Sequence, residues 1–140
     1  MITVHKNVAH PWQCDVMGHM TTRFYMAMFD DASYHFLHHL FDWNGAQNET
    51  GDLGWVDVRH TINYEAEVAA GDLLEVRAEL LKVGGKSITV SYEMINLGSG
   101  DTAATLEGVM VLFDLGNRCA VTIPDDLRDI ARQHIKADFV

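Results

Sequence analysis

The chain is poor in basic residues and in cysteine. It has 140 residues with 10 Lys and Arg against 20 Asp and Glu, which gives a formal net charge of −10 at pH 7. This charge argues against sequence-independent nucleic-acid binding, because such binding needs Lys and Arg to neutralise phosphates. The two cysteines are Cys14 and Cys119. In a chain that does not look secreted we expect them to be free thiols.

Long apolar runs are also missing from the sequence. A membrane-spanning helix needs about 20 consecutive apolar residues, and no stretch approaches this length. The first residues lack a basic segment followed by an apolar one, which is the pattern of a secretory signal. We therefore expect a cytoplasmic protein with no membrane partner. The length suits a single domain over residues 1–140 with a substantial hydrophobic core.

Residues 14–41 are the segment around which the rest of the chain is organised. A short polar stretch is followed by a helical pattern from Arg23 to about Leu40. Apolar residues recur there every three or four positions, which predicts one buried face. Further apolar residues on other sides, such as Ala27, predict a helix enclosed by the fold. The first N–H groups of a helix have no intrahelical partner, so its start can receive a developing negative charge. The predicted buried face comprises Tyr25, Met28, Phe29, Ala32, Phe36 and Leu40.

Elsewhere the apolar residues alternate with a period of two, which predicts strands. A first strand from Ile2 to His10 stops at Pro11, and residues 43–54 are rich in turn formers and predict the longest loop. Short turns, Gly84-Gly85 among them, separate four further strands, for which we predict an antiparallel meander. The fold class is thus α+β, with about five antiparallel strands wrapped round one long helix. The predicted ranges are 55–64, 73–83, 87–95 and 102–115 for these strands, and 125–134 for a terminal helix.

Asp15, Gly18 and His19 form an Asp-x-x-Gly-His turn directly before the long helix. Together with Tyr25 and the run Asp31-Ala32-Ser33, this turn resembles the signature of hot-dog-fold acyl-CoA thioesterases. The nearest type is their 4-hydroxybenzoyl-CoA thioesterase-like branch, and the similarity covers nearly the whole chain. The resemblance implies a hot-dog fold and hydrolysis of an acyl-CoA to a carboxylic acid and free CoA. It also implies no cofactor beyond the CoA of the substrate, and a homodimer or dimer of dimers with active sites at the subunit boundary.

The same resemblance assigns roles to individual residues. The acid at the position of Asp15 attacks the thioester carbonyl or activates the water that does, although Asp before a turn is also a common turn cap. The N–H of Thr22 corresponds to the donor that polarises the thioester oxygen, and its side chain could cap the helix. Gly18 would let the chain turn sharply beside the acyl group, and Tyr25 is a candidate substrate contact. His19 could bond the substrate carbonyl, orient Asp15 or fix the loop.

The chain departs from the family pattern directly after the turn. Members of the related branch often have Asn shortly after the histidine, where this sequence has Met20-Thr21-Thr22. Any contact that this Asn makes with the substrate is therefore missing or replaced. The departure affects the predicted acyl specificity more than the predicted reaction class.

Four further residues are candidates for substrate binding. Trp55, His60 and Tyr64 lie on a strand that could line an acyl pocket, and they could equally be core or sheet-face residues. Lys86 falls where related thioesterases place basic residues near the CoA phosphates, and a solvated hairpin lysine fits the position as well. None of these positions is tied to the turn by sequence spacing.

Three histidines have helical spacing near the end of the long helix. His35, His38 and His39 can present their imidazoles together, so a metal site has to be considered. The segment has no His-Glu-x-x-His pattern and no second set of ligands is obvious. We expect polar surface positions, near a subunit contact, and no native metal.

The sequence therefore predicts an acyl-CoA thioesterase in which Asp15 is nucleophile or general base. Two other functions stay open: a hot-dog hydratase or dehydratase, and a non-catalytic module that binds acyl-CoA or another small ligand. The acyl group is also open. The apolar residues suit an aromatic or a medium aliphatic group, and the acidic balance leaves room for a cationic one.

Overall fold

The computed structural model describes residues 1–44 and 52–135. A long helix packs against one face of an antiparallel sheet, which confirms the predicted fold class. A single 3₁₀ turn at Pro11–Gln13 precedes the helix. In chain order the other elements are β1 (Ile2–Val8), α1 (Thr22–Phe41), β2 (Leu53–Tyr64), β3 (Leu73–Val83), β4 (Ser87–Asn96), β5 (Thr102–Asp114), β6 (Cys119–Ala120) and α2 (Asp125–His134).

The strand order is β1-β3-β4-β5-β2, and β6 pairs with the end of β5. The predicted four-strand meander is therefore wrong in part, because β2 pairs with β5 at one edge and β3 pairs with β1 and β4. Of the four predicted strands, β3, β4 and β5 form a meander. Residues 65–72 carry the chain from β2 to β3 past the ends of two strands. At about 3.3 Å per residue these residues easily cover the three inter-strand spacings of about 4.8 Å.

The apolar face of α1 is buried as predicted. Phe29 and Phe36 are each almost fully buried and pack edge-on against Tyr92 of β4. The opposite face of α1 is exposed, including Ala27 and Tyr34, so the prediction of an enclosed helix is wrong for the single chain. A sheet on one side of a helix can cover only the stripe that faces it.

Several element bounds differ from the predictions. β1 ends at Val8, two residues before the predicted His10, because Pro11 begins the 3₁₀ turn. β2 begins at Leu53 rather than Trp55, and most of the predicted loop 43–54 lies outside the described residues. The short strand β6 was not predicted, whereas α2 has the predicted bounds. Both cysteines are free thiols, as expected.

The two ends of the sheet carry different residues, and we call them the site end and the far end. At the site end, where β2 finishes and β3 begins, the residues before α1 are tied to the β2–β3 connection through a 2.7 Å hydrogen bond from the Met20 N–H to the Val68 carbonyl. From there α1 extends about 30 Å, at 1.5 Å per residue, to the far end, where Phe41 stacks on Trp55. Neither α1 nor α2 has the length and apolar character needed to span a membrane.

Candidate active site

The turn before α1 is closed by its own backbone. The Asp15 N–H donates to the His19 carbonyl at 2.8 Å, and the Gly18 N–H donates to the Asp15 carbonyl at 3.0 Å. Cys14 and Met20 pair as a β-bridge on either side. Gly18 has φ = 81°, a conformation that glycine adopts without the steric cost of a side chain. Gly18 therefore makes the sharp turn predicted for it.

The two carboxylate oxygens of Asp15 have different surroundings. Oδ1 accepts hydrogen bonds from the N–H of Met17 at 2.9 Å and from the N–H of His19 at 3.3 Å. Oδ2 accepts none from the part of the chain that the structure describes. One oxygen thus caps the turn, which was the alternative role predicted for Asp15. The other stays available for a reactant, and the turn fixes its direction.

The start of α1 offers backbone donors beside this carboxylate. The residue before the helix is Thr21, with φ = −72° and ψ = 152°, and its side chain makes no capping bond. The prediction that the Thr22 side chain caps the helix is therefore wrong, since Thr22 is the first helical residue. The N–H groups of Thr22 and Arg23 have no carbonyl in a preceding turn to which they could donate. The first turn has no acidic residue to offset the partial positive charge of the helix start.

The turn is fastened to the connection between β2 and β3. His19 forms a β-bridge with Ala69, and its Nε2 lies 3.2 Å from Oε2 of Glu67. The connection is itself anchored to β5, because the N–H groups of Glu65 and Ala66 donate to the Ala103 carbonyl at 2.9 and 3.1 Å. His19 therefore fixes the loop through its backbone and pairs its ring with Glu67 rather than with the carboxylate of Asp15.

A cavity of about 330 Å³ opens between the turn, the start of α1 and the end of β2. It contains three carboxylates and one imidazole, and its lining includes no lysine or arginine. Five of the predicted site residues, those at positions 15, 19, 22, 25 and 64, line it together. The full lining consists of Asp15, Met17, His19, Met20, Thr22, Tyr25, Tyr64, Glu65, Ala66 and Glu67.

Two tyrosine rings form one corner of the cavity. The rings of Tyr25 on α1 and Tyr64 at the end of β2 meet edge to face, with centroids 5.1 Å apart and planes at 87°. Tyr25 is 5% exposed. Burial raises the pKa of its hydroxyl, and Tyr64, Asp72, Cys14 and Glu67 raise it further through their negative charge. At neutral pH the Tyr25 hydroxyl is therefore protonated and can donate a hydrogen bond into the cavity.

The sequence and the fold resemble those of known proteins. The sequence matches the model of the thioesterase-like superfamily over residues 9–130. The chain belongs to this superfamily. The match covers the turn, α1 and the whole sheet after β1, so it includes every residue of the cavity, and it confirms the predicted family.

Several known proteins resemble the chain over most of its length. The long-chain acyl-CoA thioesterase FadM of Escherichia coli (strain K12) is 26% identical over 127 residues, which cover 89% of this chain and 93% of that protein. A hypothetical protein of Staphylococcus aureus, solved in complex with CoA, superposes with a TM-score of 0.85 at 15% identity and covers 99% of this chain and 89% of its own. A 1,4-dihydroxy-2-naphthoyl-CoA thioesterase from Synechocystis has a TM-score of 0.78 at 17% identity, covering 97% of each chain.

Three of the residues predicted to bind substrate lie away from the cavity. Trp55 is nine positions before Tyr64 on β2, which separates them by about 30 Å at 3.3 Å per residue. Lys86 is exposed in the turn before β4 and lies at the same far end, because its neighbour Ser87 pairs with Val111. His60 lies midway along β2, with its Nε2 3.4 Å from Oδ1 of Asp57. Within one chain these residues are not brought to Asp15, and their contact with substrate stays a prediction.

The three histidines of α1 face different neighbours. His35 stacks on His5 of β1 with centroids 5.4 Å apart, and His38 contacts the Trp43 carbonyl and Asp42. His39 meets His134 of α2 edge-on at 5.5 Å. Within residues 1–44 and 52–135 no group of three or more His, Cys, Asp or Glu side chains is arranged to hold a metal ion.

Sequence reasoning missed the acidic wall of the cavity. Glu65 and Glu67 follow β2 directly and alternate with Ala66, so the signal in the sequence is only an acid-rich strand end. Their approach to His19 is made by the bridge at Ala69 and the bond at Val68. These contacts join residues almost fifty positions apart, and no local pattern indicates them.

Proposed function

We propose that this protein is an acyl-CoA thioesterase that hydrolyses an acyl-CoA to a carboxylic acid and free CoA. One observation supports it above the others: Asp15, whose Oδ2 accepts no hydrogen bond from the described residues, and Thr22, the first residue of α1, line the same cavity. A carboxylate oxygen for attack and a backbone donor for the resulting oxyanion are the two parts that thioester hydrolysis needs. The acyl-CoA thioesterases named above support the same substrate class.

Asp15 has two possible modes of action in this proposal. As a nucleophile, Oδ2 attacks the thioester carbon, and the Thr22 N–H holds the oxyanion. The CoA thiolate then departs, and water hydrolyses the acyl-aspartyl anhydride that remains. As a general base, Asp15 takes a proton from the water that attacks the carbon directly. A single turnover in heavy-oxygen water separates them. Unlabelled product acid, with the label in Asp15, indicates attack by the Asp15 oxygen and opening of the anhydride at the aspartyl carbon. Labelled acid, with no acyl-enzyme trapped by rapid quenching, indicates direct attack by water.

His19 and Glu67 serve as positioning residues. The N–H of His19 bonds Oδ1 of Asp15, so the residue that pairs with Glu67 also holds the carboxylate in the turn. Gly18 allows the turn that makes this contact. No group other than the thioester substrate is needed for these steps, and we expect the activity to survive exhaustive treatment with a chelator.

The proposal includes a homodimer built along β2. This strand pairs with β5 on one side, and its outer edge is unpaired by the described residues. Val56 and Val58 of β2 are 37% and 57% exposed. A long exposed edge strand invites pairing with a second copy. Antiparallel pairing about a twofold axis would bring the far end of the partner, with its own copies of Trp55 and Lys86, towards this cavity.

The dimer can be tested by a substitution that places one negative charge on the exposed edge of β2. We expect wild-type protein to have the mass of a dimer or tetramer by light scattering. Val58→Asp should give a folded monomer with greatly reduced hydrolysis, because two carboxylates would meet at the strand pair. A fully active monomer would contradict the shared-site proposal.

The proposed activity is tested by thiol release from a panel of aliphatic, aromatic and cationic acyl-CoAs. Asp15→Asn keeps the Oδ1 bonds of the turn and removes the charge needed for attack, so we expect at least a hundredfold loss of kcat. Turnover that is unaffected by this change would refute the role of Asp15. Binding without hydrolysis by the wild type would favour a ligand-binding module. Water addition to an enoyl-CoA without thiol release would favour a hydratase.

A further inference from the structure

In the acidic wall of the cavity, Glu65 has no role in the proposed chemistry. Asp15 is used for attack, and Glu67 pairs with His19. The carboxylate of Glu65 has no hydrogen bond or ion pair to the residues that the structure describes, and it lines the same cavity. The phosphates of CoA are anionic and would be repelled here. The carboxylates therefore face the part of the substrate that remains, which is the acyl group.

The aromatic corner of the cavity adds a second feature. The perpendicular rings of Tyr25 and Tyr64 present two walls that meet at one edge. Tyr25 is 5% exposed as a residue, and its hydroxyl has no hydrogen-bond partner among residues 1–44 and 52–135. This hydroxyl is therefore free to accept or donate a hydrogen bond to a ligand. Aromatic faces and hydroxyl oxygens together are the groups that surround alkylammonium ions in proteins.

The charge around this corner has one sign. The carboxylates of Glu67 and Asp72 each act on the Tyr25 hydroxyl in the sense of a negative potential, and the lining includes neither lysine nor arginine. An anionic acyl group would be repelled by this surface, and a neutral one would gain nothing from it. A cation would be attracted by the carboxylates and by the rings.

We propose that the preferred acyl group is short and carries an alkylammonium group, which sits in the corner of Tyr25 and Tyr64 beside Glu65 and Glu67. The proposal rests on the proposed thioesterase function. The chain must be short because Asp15 and the two tyrosines line one cavity of about 330 Å³. The ammonium group therefore lies only a few bonds from the thioester carbon.

A matched pair of substrates tests the charge alone. The cationic probe is γ-trimethylammoniobutanoyl-CoA, and its neutral counterpart has a tert-butyl group in place of the trimethylammonium group. The two have the same shape, and the charge is far enough from the carbonyl to leave its reactivity nearly unchanged. We expect kcat/KM to favour the cationic probe by roughly tenfold, because two exposed carboxylates and one aromatic corner attract the ammonium group. The preference should shrink as salt screens the carboxylates.

Variants locate the preference in the cavity. Glu65→Gln should lower the ratio of the two kcat/KM values by about threefold, the size of one exposed ion pair. Tyr64→Leu should lower it as well, and Tyr64→Phe, which keeps the ring face, should retain it. Glu107→Gln is the matched control, because it removes one exposed carboxylate from the opposite face of the sheet and should leave the ratio unchanged.

The outcomes separate this inference from the proposed function. Hydrolysis of the neutral probe at an equal or higher kcat/KM would overturn the cationic preference and leave the thioesterase standing. A ratio that falls equally in Glu65→Gln and Glu107→Gln would show an effect of net charge and would also overturn the site. If the wild type releases no thiol from either probe or from simple aliphatic and aromatic acyl-CoAs, the proposed thioesterase function is refuted.

Discussion

The Thr22 N–H can be removed without removing the helix that carries it. Thr22 is the first residue of α1, the position at which proline is most readily accepted, because its missing N–H has no helical partner there. The residue before a proline prefers ψ between about 120° and 160°, and Thr21 has ψ = 152°. Thr22 is exposed, so a pyrrolidine ring has room. Thr22→Pro should therefore fold with the wild-type structure.

The expected loss of activity follows from the proposed role of that donor. Removal of one oxyanion donor costs about a hundred- to a thousandfold in kcat, or roughly 3–4 kcal/mol of transition-state stabilisation. The Arg23 N–H, one position later, points from the same helix end and could supply part of the interaction. We therefore expect a loss of about a hundredfold, at the lower end of this range. KM should change little, since the ground-state carbonyl gains less from the donor than the oxyanion does.

The assay is steady-state thiol release, with Thr22→Ala as the matched control. Alanine removes the same side chain and keeps the N–H, so Thr22→Ala should retain activity within a fewfold of wild type. Thermal unfolding and circular dichroism establish that both variants are folded. If Thr22→Pro is folded and as active as Thr22→Ala, the Thr22 N–H is not the oxyanion donor and the reasoning from the helix start is wrong.

Three further predictions concern stability. Gly18→Ala should lower the free energy of unfolding by about 1–2 kcal/mol, the cost of φ = 81° for a residue with a side chain. A Cβ at Gly18 or at Gly85 meets no atom within 4 Å, so the two positions differ in φ and not in space. Gly85→Ala is therefore the control and should leave the thermal melting temperature unchanged. Tyr92→Phe should be neutral or stabilising by roughly 1 kcal/mol in urea titration, because the buried Tyr92 hydroxyl has no partner within the described residues. Arg77 bonds the Glu75 carboxylate at 2.8 and 3.0 Å and is the main reason that the pKa of Glu75 lies below its ordinary 4.5. The stability that the ionised Glu75 contributes is therefore complete above that pH and lost as the pH falls below it. The free energies of unfolding of wild type and Glu75→Gln should differ less in acid than at neutral pH. A difference that does not change with pH would contradict the pair.

The exposed edge of β2 links the proposed dimer with the proposed specificity. Tyr64 and the acidic wall stand at the end of this strand, so a second copy paired along β2 would cover part of the cavity. Burial of Glu65 and Glu67 would strengthen their attraction for a cation, because exposed charges are screened by water and salt. We therefore expect Val58→Asp to reduce the preference for the cationic probe together with the activity.

The residues proposed for chemistry could be found from the sequence because they are local. Asp15, Gly18 and His19 fall within five positions, and a turn of that length brings their backbones together whatever the rest of the fold does. Thr22 and Tyr25 follow within one helical turn, where the 3.6-residue period fixes their direction. The burial of α1 on one face follows from the same period.

The residues that contact the Asp15–His19 turn depend on the tertiary structure. Short loops after Trp55 suggested a meander, but a strand's neighbours depend on which sheet edges are free, and β2 pairs with β5 while residues 65–72 cross to β3. That crossing carries Glu67 to His19 and Glu65 to the cavity, the end of β2 brings Tyr64 to Tyr25, and Lys86 lies at the far end. The Asp15–His19 turn and the helix behind it follow from the sequence, because both depend on contacts a few residues apart. The acidic, aromatic wall that faces the turn depends on backbone contacts between residues almost fifty positions apart, which only the folded sheet creates.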